Sequence, residues 1–249
     1  MWRRLVGAGP RRDPHPAPPP EWVWPVYLYG RTPTGAEVAL RPLMYADGPV
    51  FQAVRRANAE WLEPWDATAP DPSTPPRSFE DLVRQYDDDG AAGRALPLAI
   101  ESAGRLVGQV NVGTVVFGSF RSCHVGYWVS RAVAGQMIVP TAVALVADHL
   151  FTRVGLHRME INIRPQNTAS LAVVRKLGFR AEGHRPHYLH IDGAWRTHLS
   201  FAITTEDLGS ETMLERLTRL TRSTQSSHES LARHTESGAG AGEAPRLPS

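Results

Sequence analysis

The sequence predicts one α/β domain built on a mixed β-sheet flanked by helices, and three observations carry that expectation. Segments of period-two and helical apolar spacing succeed one another in the order β-α-α-β-β-β-α-β-α-β-β, the alternation of an α/β fold. Hydrophobic residues make up 42% and charged residues 21% of the chain, enough apolar mass for a core of ordinary size. Both ends lack such mass. The expected divisions are a Pro-rich extension over residues 1–35, the domain over 36–207 and a C-terminal tail over 208–249, with disordered tails.

The elements follow in chain order. Pro14-His15-Pro16-Ala17-Pro18-Pro19-Pro20 cannot form the interior of a helix or strand. Val38-Ala39-Leu40-Arg41 alternates and opens the sheet. Val50, Phe51 and Val54 give one helical face between Asp47 and Ala59. A Pro-rich loop over 64–76 precedes a helix that opens on Ser78, an N-cap residue. Residues 96–101 and 106–116 read as strands joined at Ala103-Gly104-Arg105, and 124–129 as a third after Phe117-Gly118-Ser119. A long helical pattern covers 138–154. Residues 159–163 form a short strand and 169–177 a helix stopped by Gly178. Strands around 185–191 and 197–203 flank the hairpin turn Asp192-Gly193. Past Gly209, Met213-Leu214, Leu217 and Leu220 have the spacing of a short amphipathic helix, and disorder is expected through the closing Ser237-Gly238-Ala239-Gly240-Ala241-Gly242.

Composition removes several classes of function. No run of about 18 apolar residues is present, which argues against a transmembrane helix. The apolar stretch after Met1-Trp2-Arg3-Arg4 is too short for a signal-peptide core. The single cysteine, Cys123, has no partner for an internal disulfide and no companions for a metal cluster, so no metal is expected. A cytoplasmic location is the default. Lys plus Arg total 27 against 25 Asp plus Glu, too balanced for a nucleic-acid-binding field. Neither a nucleic acid nor a membrane is an expected partner.

Chemistry concentrates between Arg131 and Phe179. A strand ending at Tyr127-Trp128-Val129 runs through a short loop into a helix, which leaves amide donors at the helix start. Gly135 lets backbone approach an anion there. A plain connection and a phosphate site are both readings of this stretch. Farther on, Asn167 suits a helix N-cap with Ser170 one turn in, and Gly178-Phe179 suits a helix stop and a core anchor.

In combination, Asn167-x-x-Ser170, Lys176-Leu177-Gly178-Phe179 and the Glu182-Gly183 that follows resemble the GNAT acetyltransferases. The stretch from Tyr188 to Trp195, with the earlier Trp61-Leu62-Glu63-Pro64-Trp65, resembles their ribosomal-protein N-terminal (RimJ/RimL-like) branch. The resemblance spans roughly residues 37–207. It implies a sheet splayed between its fourth and fifth strands with acetyl-CoA in the gap. It also implies that the pyrophosphate sits on amides of Ala134, Gly135, Gln136, Met137, Ile138 and Val139. Tyr127, Trp128 and Val129 would pair with the pantetheine arm, Asn167 would bond near it, and Ser170 would protonate the leaving thiolate. The reaction implied is direct acetyl transfer to a primary amine, which needs a positioned neutral amine, a polarised carbonyl and a proton for sulfur.

Departures from the family pattern matter as well. Ala134, Met137 and Val139 stand where the loop usually carries Gln or Arg, Gly, and Gly or Ala, so a side chain at Met137 falls where backbone must crowd a phosphate. Pro140 is harmless if it lies in the first helical turn. Glu160 is the first candidate for the base, with a salt bridge to Arg158 as its other reading. The tyrosine acid of some GNAT enzymes would fall at Val174. Trp195-Arg196-Thr197-His198 replaces a usual Trp-x-Asp-His, and His184, His187 and His190 are exposed alternatives for a base. Trp61, Trp65 and Tyr188 line a substrate groove or pack in the core, and Glu63 and Asp66 would attract an ammonium. The acceptor is a protein N-terminal α-amine, ribosomal protein included, with a small amine (polyamine, aminoglycoside or amino acid) or a non-catalytic acyl-CoA-binding role as alternatives. The expected assembly is a monomer or homodimer.

Overall fold

The computed structural model describes residues 17–71 and 73–238. Pro14-His15-Pro16 and the run after Gly238 lie outside the described residues. Eight strands form one sheet: β1 (Leu28–Arg31), β2 (Glu37–Pro42), β3 (Leu96–Ser102), β4 (Arg105–Val116), β5 (Ser122–Val129), β6 (Arg158–Ile163), β7 (Arg180–Ile191) and β8 (Ala194–Thr204). Their order is β1-β2-β3-β4-β5-β6-β8-β7, with only β5 and β6 parallel. The helices are α1 (Gly48–Ala57), α2 (Ala59–Leu62), α3 (Phe79–Ala91), α4 (Ile138–Asp148), α5 (Thr168–Leu177), α6 (Thr205–Leu208) and α7 (Met213–Gly238).

Alternation on β3 divides the core in two, because successive side chains point to opposite faces. Leu98 and Ile100 join the larger cluster with Leu40, Val110, Val143, Leu150 and Met159, beneath α4, α5 and α7. Ala99 joins Leu43, Phe79, Val83 and Leu106 in a smaller cluster beneath α1 and α3. Helix α4 is buried from Ile138 to Ala144, since it has neighbours on nearly every side. Ser78 caps α3 by accepting from the Asp81 amide, and Gly178 ends α5 at φ 72°, the left-handed conformation a helix stop requires.

Several elements differ from the sequence expectation. Trp22 and Val26 are buried and β1 pairs with β2 along its whole length, so part of the expected N-terminal extension packs as domain. The cause is aromatic anchoring. Trp22 Nε1 donates to the Gly90 carbonyl at 2.7 Å, and Trp24 lies so close to Gly90 that a Cβ there would meet its ring at 2.5 Å. The helix expected over Asp47–Ala59 breaks at Asn58 (φ −120°) into α1 and α2. The pattern over 138–154 is α-helical only to Asp148 and closes in a π-helical turn, His149–Val154. The Pro-rich loop contains a 3-10 turn, Glu63–Trp65, and a bridge from Ala67 to Ile191. Helix α7 is longer than the short helix expected, and Met213 and Leu217 are fully buried.

The splay that positions the site follows from the pairing. β5 and β6 share only Ser122↔Arg158, Cys123↔Met159 and His124↔Glu160. Beyond them β5 stays with β4 as far as Val129, while β6 stays with β8 as far as Ile163. The sheet therefore opens as a V between the strands expected as fourth and fifth, which β1 makes fifth and sixth.

Candidate active site

The V encloses a cleft of about 420 Å³. One wall is β5 and the loop into α4, lined by Gly126, Tyr127, Trp128, Val129, Ala134, Gly135, Met137, Ile138 and Val139. The opposite wall is β6 and the start of α5, lined by Ile161, Asn162, Ile163, Asn167 and Ser170. Trp61, Trp65, Leu189, Ile191 and His198 close one end.

Local chemistry explains how each wall is held. Asn167 Oδ1 accepts from the Ser170 amide at 3.0 Å, which caps α5 and fixes Ser170 at the cleft. The Tyr127 hydroxyl donates to the Ser170 carbonyl at 3.4 Å, tying the walls together. Burial pushes the Tyr127 phenol well above its ordinary range, an effect the Ser170 bond only partly offsets. Ala134 and Gln136 spend their amides on Arg131 and Val133 carbonyls inside the loop. The free donors at the start of α4 are then those of the N-cap Met137 and of Ile138 and Val139, the first two helical residues. Pro140 is third, inside the first turn where its missing N–H costs little.

A scan of the chain against family models matches residues 37–180 to the acetyltransferase (GNAT) domain. The chain belongs to the GNAT acetyltransferase family. Among solved structures, Mycobacterium smegmatis RimJ in complex with CoA-disulfide is 38% identical, with a TM-score of 0.74 over 80% of this chain and 96% of that one. The [ribosomal protein uS5]-alanine N-acetyltransferase of Escherichia coli (strain K12) is 28% identical over 60% of this chain and 78% of its own length. The probable N-acetyltransferase YjcK of Bacillus subtilis (strain 168) is 27% identical over 70% of this chain and 97% of its own. Within the family the chain falls in the RimJ/RimL-like branch, and it is an acyltransferase with acetyl-CoA as donor.

The cleft of this GNAT enzyme fits such a donor. A Cβ built on Gly126 would meet nothing within 4 Å, and the β5 backbone beyond His124 has no strand beside it on the β6 side. Met137 adopts φ 64°, the left-handed conformation that favours glycine, yet its side chain is 7% exposed and packs in the larger core. The methionine thus departs from glycine at the cost of backbone strain, with its bulk turned largely inward.

Other expected site residues stand apart from the cleft lining. Gln136 is exposed and donates to the Ala132 carbonyl, and Glu63 is exposed. Tyr188 sits behind the wall, its hydroxyl accepting from Asn162 Nδ2 at 3.4 Å and its ring edge-on to His198. Glu160 is the main correction. Its carboxylate is buried and held by Arg158, Arg185, His124 and Asn162. Burial raises its pKa, but the Arg158 and Asn162 bonds and the charges of His124 and Arg185 overcome this and hold it below the carboxylate range. Oε1 takes Arg185, His124 and Asn162 and Oε2 takes Arg158, so the salt-bridge reading describes it and a carboxylate so ion-paired is a weak base. Asp66, although it lines the cleft, is ion-paired with Arg55. His184 and His187 are exposed on β7, outside the lining.

Sequence reasoning missed four polar residues of the lining: Asn111, Asn162, Arg164 and His198. The period of the final hairpin was the available signal for His198, since it alternates with Leu199 and faces inward. Among the described residues, no cluster of three or more His, Cys, Asp or Glu could hold a metal, and no helix is long and apolar enough to cross a membrane. Cys123 is fully buried, and burial pushes its thiol up to about 12.

Proposed function

We propose that this enzyme acetylates the N-terminal α-amine of a protein, with a ribosomal protein as the first acceptor to test. The observation that carries the reading is the wall at the end of the cleft. Trp61 and Trp65 face Leu189 and Ile191 of the hairpin, and the Ala67↔Ile191 bridge fastens the two segments together. Trp61 Nε1 donates to the Val129 carbonyl at 3.1 Å, and Arg164 lies over Trp65 at 5.5 Å. Such a fixed aromatic and aliphatic wall suits the side chains and backbone of a peptide end. The uS5-alanine enzyme, similar to this chain over 78% of its own length, supports the same acceptor class.

Acetyl-CoA supplies the acetyl group as an activated thioester. The chain's residues then divide the remaining work. The Ile138 and Val139 amides, helped by Gly135, hold phosphate oxygens at a helix start where negative charge is favoured. Tyr127, Trp128, Val129 and Asn167 orient the pantetheine arm along the open edge of β5. Ser170 Oγ donates to the departing sulfur, fixed in place by the Asn167 cap.

The test measures thiol release from acetyl-CoA with free N-terminal peptides, the same peptides N-acetylated, polyamines, aminoglycosides and amino acids. Turnover with free peptides and none with blocked ones is expected. Turnover with small amines alone would overturn the protein acceptor.

A further inference from the structure

The register places an unfilled polar row across the splay. Asn111 on β4 pairs with Gly126 on β5, and two residues past the last β5–β6 pair, His124↔Glu160, Gly126 comes level with Asn162. Residues level across a sheet share a face, so Asn111 and Asn162 look into one space, which Gly126 leaves free of any side chain. Asn162 pairs with Ser200 on β8, and His198, two residues away, shares that face. The Oδ1 atoms of both Asn111 and Asn162 are buried without a hydrogen-bond partner. An unsatisfied buried acceptor is costly and calls for a donor. His198 is only 3% exposed and lines the same cleft. Its Nδ1 lies 3.0 Å from the Arg196 carbonyl and must be the donor there, which leaves Nε2 unprotonated and available.

We propose that the acceptor amine occupies this row, held by Asn111 Oδ1 and Asn162 Oδ1, and that His198 Nε2 is the general base that deprotonates it. The amine enters as its ammonium and gives one proton to Nε2, and the neutral nitrogen then bonds to the acetyl carbon as the carbon–sulfur bond breaks. Ser170 passes its proton to the thiolate and recovers one from the acylated nitrogen, which keeps a single N–H, and the imidazolium returns its proton to solvent. The groups facing His198 favour its neutral form. Burial lowers its pKa first, the Arg196 carbonyl opposes this, and the Arg164 charge lowers it again. The Tyr188 ring, itself beneath Arg185, packs edge-on at 5.4 Å. Asp66 is the one carboxylate in the cleft lining, and Arg55 occupies it.

A cradle of neutral acceptors with a weak base selects amines that lose a proton easily. An α-ammonium has a pKa of about 8, whereas a lysine-like alkylammonium lies near 10.4, so the same bound base deprotonates the second more than about 100-fold less favourably. The proposal uses the α-amine reading above for its choice of acceptor, and its test separates the two. With the full chain and a free N-terminal peptide, kcat/KM should rise through an acid limb below the ordinary histidine value of about 6.5 and then level. His198→Gln should lower kcat at least about 100-fold and abolish that limb while acetyl-CoA binding by calorimetry is kept. Asn162→Ala should raise KM for the peptide with a smaller change in kcat. Spermidine should be at least about 100-fold poorer than the peptide in kcat/KM at pH 7.5. His198→Gln within threefold of the parent kcat and with the same limb would overturn the base. If that variant loses cofactor binding through misfolding, the parent enzyme decides: a limb at the amine's own pKa near 8, rather than below 6.5, overturns the proposal. Spermidine within tenfold of the peptide overturns the neutral cradle. A parent enzyme that turns over spermidine but no peptide sinks the α-amine reading and the neutral cradle together, and the His198 base is then decided by the limb read on the active amine.

Discussion

Met137 shows how one residue satisfies the phosphate loop and the core at once. Its φ of 64° is a conformation that costs an L-residue roughly 1 kcal/mol or more, and a glycine would relieve it. Its side chain, however, packs with the larger core, and removing a buried methionine costs about 2–5 kcal/mol. The second effect outweighs the first. Met137→Gly is therefore expected to lose about 1–3 kcal/mol of stability in denaturant unfolding. Calorimetry should find its acetyl-CoA affinity unchanged within threefold, because the amides that face the ligand remain. A tenfold gain in affinity would instead mean that the methionine side chain obstructs the phosphates. Glu160 teaches the complementary lesson: the residue type suited a base, and only its four neighbours show that it is held in an ion-pair cluster.

Elements whose ends are set by local chemistry were legible in the sequence. Ser78 caps α3, Gly178 stops α5, and Asp192-Gly193, both at positive φ, turn the β7–β8 hairpin. The Asn167 to Ser170 part of the site was legible for the same reason, since a helix cap is a short-range signal. Elements held from a distance were not. Nothing in 22–31 announces that Trp22 will reach the Gly90 carbonyl, and nothing near His198 announces that Asn111 and Asn162 share its space. Helix α7 draws on both kinds: Thr212 Oγ1 accepts from the Glu215 amide and Glu215 from the Thr212 amide, a local cap, to which a distant residue adds. Asp148 at the end of α4 takes the next two amides, its carboxylate accepting from Met213 at 2.6 Å and from Leu214 at 3.2 Å. Burial raises the Asp148 pKa, against the lowering by those two amides, so an acceptor is needed there but a charge is unfavourable. Asp148→Asn keeps an acceptor and is expected to stay within about 0.5 kcal/mol of the parent, while Asp148→Ala should lose about 1–2 kcal/mol. Denaturation midpoints for the pair check this, and equal values for Asn and Ala would remove the capping role.

At the scale of the molecule, the splay leaves a sheet whose halves meet through only three residue pairs of β5 and β6, with α4 crossing between them. A ligand in the gap takes the place of the missing strand-to-strand contacts, so its binding free energy should appear as cohesion between the halves. Binding to the folded chain alone stabilises it by about 2.7 kcal/mol when acetyl-CoA stands at 100 times its Kd. For a domain of this size each kcal/mol moves Tm by about 2–4 °C, which predicts a rise of roughly 5–10 °C. The rise alone does not locate the ligand, because any ligand of the folded state would produce it. Hydrogen exchange does. On its β6 side the β5 backbone past His124 faces the gap, and the Ile138 and Val139 amides lack helical acceptors. Acetyl-CoA should slow exchange at 126–129 and 138–139, while amides of β1–β3 change only through the global gain in stability. A rise in Tm with no added protection along β5 would place the ligand outside the splay and remove the cleft as the cofactor site.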